Sequence, residues 1–91
     1  MVERVDLSEP SSRTMLRLTD VKKRTGLSRA TIYAQQAQGV FPPSVNVGVR
    51  AVGWIESEVD AVIVGRASGA DESTLKKLVE LLVSSRRPSA R

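Results

Sequence analysis

Residues 13–50 hold Arg13, Arg17, Lys22, Lys23, Arg24, Arg29 and Arg50 against one acid, Asp20. The segments on either side do not share this excess. Residues 1–12 set Glu3, Asp6 and Glu9 against Arg4, and beyond residue 50 acids and bases balance. The net charge of +4 is therefore concentrated in one stretch. A concentrated positive field is the footprint of a protein that binds a polyanion, although the same charges could make an ordinary solvated surface.

The residue types that are missing narrow the chemistry further. Cysteine and histidine are both absent from the 91 residues. There is accordingly no disulfide, no thiolate nucleophile and no sulfur metal site. The usual general base and the commonest metal ligand are missing as well. The acidic residues, Asp and Glu 10 in all, are spread along the chain and define no paired-carboxylate site. No catalytic residue, metal ligand or small-molecule cofactor site is expected, and the chain is not read as an enzyme. No apolar run approaches the roughly 18 residues of a membrane span. The start, "MVERVDLSEPSSR", has no apolar h-region, so it does not read as a signal peptide, and a cytoplasmic location without membrane contact is expected.

The elements that must position the cations can be read in order. Residues 1–13 are polar, lack periodicity and contain Pro10, and read as a flexible tail. "MLRL" suggests a stub of strand. Thr19 is the expected N-cap of a first helix from Asp20 to about Thr25, closed at Gly26. Ser28 is the N-cap of a second helix, Arg29 to Gln38, ended by Gly39. The short join between the two is helix-turn-helix spacing. Pro42 and Pro43 forbid more helix, and the valine-rich run that follows predicts a hairpin: Val45–Val47, a turn around Gly48 to Arg50, and Ala51–Trp54. A third helix carries Val59, Val62 and Ile63 on one face. Residues 68–70 read as a linker, Asp71 as the cap of a last amphipathic helix over 71–85, and 86–91 as a flexible basic tail. The expected fold is mainly α with a small β-hairpin: a winged helix-turn-helix over 14–67 followed by an extra C-terminal helix.

Three motifs in that order, "TGLSRATIY", "FPPSV" and "RAVGWIESEV", make residues 15–65 resemble the AlpA family of prophage regulatory proteins. The resemblance implies a bacterial winged-helix transcriptional regulator of phage or mobile-element genes, similar to excisionase and MerR-type DNA-binding domains and associated with the nucleoid. An excisionase-like factor that bends DNA, or a protein-interaction module using the 71–85 helix, would suit similar residues. Ala34 stands where such proteins commonly carry a basic residue, and Val49 where a second wing glycine is frequent.

On this reading double-stranded DNA is the partner, with the second helix in the major groove. Arg29, in its first turn, could bond guanine or clamp a phosphate. Ser28 caps the helix and also suits a phosphate, and Thr31 could meet a thymine methyl or solvent. Tyr33 could pack under the wing with its hydroxyl toward a phosphate. The neutral run Ala34-Gln35-Gln36-Ala37-Gln38 suits groove contacts without charge, Gln to adenine and Ala to a thymine methyl. Gln36 shares Arg29's side and is the expected base reader, while Gln35 is expected to close over the core edge. Arg50 at the wing tip is a backbone or minor-groove contact. Arg17, Lys22 and Lys23 are backbone contacts; of Lys22, Lys23 and Arg24, spanning about 300° of helix, at most two can face DNA. Glu56 or Glu58 could instead compete for Arg50. Leu75, Leu78 and Leu82 form an apolar stripe that either completes the domain's own core or meets a second copy, an integrase or a repressor.

Overall fold

A computed structural model describes residues 14–86, so the expected 1–13 tail and residues 87–91 lie outside the described residues. Val21, Ile32, Phe41, Trp54, Val59 and Val62 are the most deeply buried large apolar side chains, none more than 1% exposed. All but Phe41, which lies between α2 and β2, come from helices or strands. The elements are β1 (Met15–Leu16), α1 (Leu18–Thr25), α2 (Arg29–Gln38), β2 (Val45–Gly48), β3 (Ala51–Ile55), α3 (Glu56–Ala67) and α4 (Glu72–Ser84). The protein is mostly helical with a small antiparallel sheet, in winged helix-turn-helix order.

α1 begins at Leu18, earlier than the expected Asp20, and its N-cap is Arg17 rather than Thr19. The reason is local. Starting there puts Leu18 and Val21 on one face against the core. It also places Asp20 at the third helical position, where its Oδ2 accepts from the Arg17 backbone N–H at 3.4 Å. Gly26 then takes φ 75°, a left-handed conformation that L side chains rarely adopt, and its N–H closes on the Lys22 carbonyl. The Thr25 hydroxyl completes the turn, donating to the Val21 carbonyl at 2.7 Å and accepting from the Leu27 N–H at 3.1 Å. Leu27 drops onto the core, and Ser28 caps α2 by accepting from the Thr31 N–H at 3.1 Å.

The sheet has the order β1-β3-β2. Its first strand is the expected stub, paired Met15 to Ile55 and Leu16 to Trp54. The hairpin pairs Val45 with Gly53 and Asn46 with Val52, and then slips so that Gly48 faces Ala51. The irregularity falls at Val47, and the turn is Val49-Arg50, tighter than the expected span from Gly48 to Arg50. β3 runs straight into α3, whose first turn carries Glu56 and Glu58.

α4 folds back on α3. Leu75 and Val79 are buried, and Leu78 and Leu82 are partly buried against the same core. The close approach uses Gly65, where a β-carbon would lie 3.4 Å from both the Leu75 and Leu78 side chains. The leucine stripe packs on its own domain in the single chain, Leu75 buried and Leu78 and Leu82 partly so. A single small core gains more by covering an existing apolar face than by leaving it to water. Arg86, expected to open a loose tail, is fixed in place by contacts described below.

Candidate nucleic-acid interface

Around α1 the valine at 21 points inward and is fully buried. At about 100° per residue, Lys22 and Lys23 flank the outward pole and Arg24 returns toward α3. Arg24 there meets Glu56 at 2.6 Å and Asp60 at 3.1 Å. These carboxylates, the Glu56 hydrogen bond foremost, hold the guanidinium above its ordinary pKa. Lys22 and Lys23 are exposed and meet no carboxylate among the described residues. Arg17 is likewise exposed at the head of α1.

The second helix is organised about Ile32, which is fully buried. The opposite pole carries Ala30, Ala34 and Ala37, all exposed, with exposed Arg29 and Gln38 to either side. Arg29 lies over the Tyr33 ring, 5.4 Å from its centroid. Tyr33 in turn meets Trp54 edge-on, with the centroids 5.9 Å apart and the planes at 67°. Ser28 and Thr31 are tied to each other, the Ser28 hydroxyl donating to Thr31 Oγ1 at 3.0 Å while it caps the helix.

Gln36 also has a partner within the fold. It shares Arg29's side of the helix, as the spacing requires, but that side leans on the wing strand. The buried Trp54 indole donates to Gln36 Oε1 at 3.0 Å. A fully buried indole N–H needs an acceptor, and the half-buried Gln36 is the one in reach. Its amide oxygen is therefore engaged within the fold. Gln35, expected over the core edge, accepts from Arg66 Nη2 at 2.9 Å on the α3 side.

Arg50 occupies the wing turn with φ 57°, the one non-glycine with positive φ among the described residues. A left-handed residue at the end of the turn suits a hairpin that closes beside a register slip, and a β-branched side chain at that position would tolerate it less well. Val49 beside it is 92% exposed. Neither anticipated competitor reaches Arg50: Glu56 is bound to Arg24 and Glu58 to Arg86.

Sequence reasoning missed the Glu58–Arg86 pair. Glu58 is the one buried charged residue among those described, 4% exposed, and Arg86 grips both of its carboxylate oxygens, at 2.6 and 2.8 Å. The bond to Glu58 holds the Arg86 guanidinium above its usual pKa. A glutamate one residue before buried Val59, on an otherwise apolar face, was the available signal. Its partner lies on another helix and could not be read from spacing. Among the described residues no cluster of His, Cys, Asp or Glu could hold a metal ion, and no helix is long and apolar enough to cross a membrane.

A helix-turn-helix, a three-stranded sheet whose hairpin projects as a wing, and unpaired cations on α1, α2 and the wing tip together define a small winged helix-turn-helix protein. The sequence profile of one family, described as prophage CP4-57 regulatory protein (AlpA), matches residues 14–66, and the chain belongs to that family. Two relatives agree. An Enterobacteria phage P4 protein, ORF88, described as uncharacterized, is 41% identical over 63 residues, covering 69% of this chain and 72% of its own length. The DNA-binding transcriptional activator AlpA of Escherichia coli (strain K12) is 38% identical over 60 residues, covering 59% of this chain and 86% of its own. AlpA proteins are regulators, so membership makes this chain a regulatory protein rather than an enzyme.

Proposed function

We propose that this protein is a sequence-specific DNA-binding transcriptional regulator of phage or mobile-element genes, with α2 in the major groove and the wing on the backbone or in the minor groove. The observation that carries the reading is the division of its cations. Arg17, Lys22, Lys23, Arg29 and Arg50 find no carboxylate among the described residues; elsewhere Arg24, Lys76 and Arg86 are ion-paired and Arg66 donates to Gln35, with exposed Lys77 on α4 the exception. Cations left unpaired next to a helix-turn-helix are what phosphate contacts need.

Base reading falls to Arg29 and to the outward pole of α2. Arg29 can bond a guanine edge bidentately, and stacking on Tyr33 restricts its rotamers before DNA arrives. Ala30, Ala34 and Ala37 offer only methyl groups, which suit contact with thymine C5-methyls. The small side chains also let the helix backbone come close to the groove floor. Ser28 and Thr31 stand at the N-terminus of α2, where the free backbone N–H groups favour a phosphate. Tyr33 props Arg29 and carries a hydroxyl suited to the backbone.

Footprinting on DNA beside the protein's own coding region, followed by titration of the protected site, tests this. Arg29→Ala should cost about 1–3 kcal/mol of discrimination at one base pair. Replacing the thymines of that site by uracil, which removes only the methyl groups, should weaken binding of the unmodified protein. Protection that is uniform along the DNA, with neither change felt, would defeat the groove assignment.

A further inference from the structure

The two legs of the wing are held differently. The inner leg, β3, continues without a break into α3 at Ile55 and Glu56, so its position is set covalently by the helix. The outer leg, β2, is an edge strand that pairs with β3 alone, and Asn46, Val47 and Gly48 are exposed. Its ladder is already interrupted at Val47. Phe41 and Pro42 are buried just before it. At the root of the exposed strand the Pro43 carbonyl accepts from Arg86 Nη2 at 2.8 Å. The same guanidinium grips both oxygens of buried Glu58 on α3.

Arg86 thus joins three elements through one planar group: the end of α4, the first turn of α3 and the root of the outer leg. A guanidinium suits this task because its donors lie in a fixed fork, so two aligned on a carboxylate direct a third. Arg86 also lies outside residues 14–66, the part of the chain that matches the family profile.

We propose that Arg86 is a positioning residue for DNA binding: by clamping the Pro43 carbonyl to Glu58, it fixes the outer leg of the wing to α3 and so sets where Arg50 stands relative to α2. This rests on the reading of Arg50 as a DNA contact. The extra C-terminal helix then has a role beyond covering the core, since it delivers the clamp.

The test uses the full chain carrying Glu58→Gln and Arg86→Gln together, which opens the clamp without stranding a buried charge. In the free protein, hydrogen exchange should quicken about tenfold at the β2–β3 ladder amides while α1 and α2 amides stay within about twofold. Equal acceleration everywhere, or none, overturns the proposal. On DNA, the clamp variant and Arg50→Ala should each weaken binding by about tenfold, and combining them should add no more than about twofold, because both act through one contact. Losses that multiply in the combined variant also overturn it, since the clamp would then act through general stability. If Arg50→Ala alone leaves affinity unchanged, the wing contact itself fails and the DNA half of the proposal falls with it. The exchange measurement is independent of that outcome, so the two failures can be told apart.

Discussion

The helix-turn-helix with its wing and the α3–α4 back of the molecule use the same residue types to opposite ends. On the back, most cations are engaged at short range, exposed Lys77 being the exception. Arg24 is bound by Glu56 and Asp60, Lys76 by Glu72, and Arg86 by Glu58, while Arg66 donates to Gln35. On the front, Lys22, Lys23, Arg29 and Arg50 are exposed with no carboxylate in reach among the described residues. Neighbours in sequence are split between these fates: Arg24 turns to α3 while Lys22 and Lys23 turn outward, because one helical residue is about 100° from the next. The contrast shows that a net charge says little until it is known which cations are already satisfied.

Three perturbations would break or sharpen this division. The largest effect should come from the back. Leu75→Ala removes a side chain 3% exposed between α4 and α3, and thermal or denaturant unfolding should show a loss of about 2–4 kcal/mol. The salt dependence of DNA binding by the folded protein should stay the same, and a flattened dependence would mean that the back is not separate from the front.

A smaller effect is expected where the two regions meet. Gln36→Leu leaves the buried Trp54 N–H without its acceptor and should cost about 1–2 kcal/mol of stability, with base preference retained. A variant of unchanged stability whose preference shifts at one base pair would show that Gln36 reads a base.

The smallest change is confined to the front. Lys22→Ala with Lys23→Ala should leave the melting temperature nearly unmoved and weaken binding to all sequences alike. If each lysine meets a phosphate, the slope of log affinity against log salt should fall by about 0.9 per lysine. A slope unaffected by both would take α1 off the DNA backbone.

Much of the architecture is legible in residue types because the signals are local. Gly26 and Gly39 punctuate α1 and α2 by taking a positive φ, and Ser28 and Asp71 each cap a helix through the N–H three residues on. Thr19 misled for an equally physical reason. A good cap was outcompeted by the gain from burying Leu18 on the same face as Val21, with Asp20 supplying the reach-back bond. In the wing, the valine run marked the hairpin, but the slip at Val47 depends on cross-strand partners that no spacing rule encodes.

The candidate site divides along the same line. The sequence alone placed a basic, cysteine- and histidine-free segment on a helix-turn-helix with a wing, because charge, caps and periodicity act within a few residues of one another. Whether a given polar side chain is free was decided only by the tertiary fold. Gln36 and Gln38 are alike as letters, yet one accepts from Trp54, eighteen positions away, and the other stands exposed. Glu58 could have met Arg50, but Arg86, twenty-eight positions on, reaches it first. A buried donor or charge takes whichever partner the packing brings within hydrogen-bond distance, and only what remains unpaired is free for a partner outside the fold.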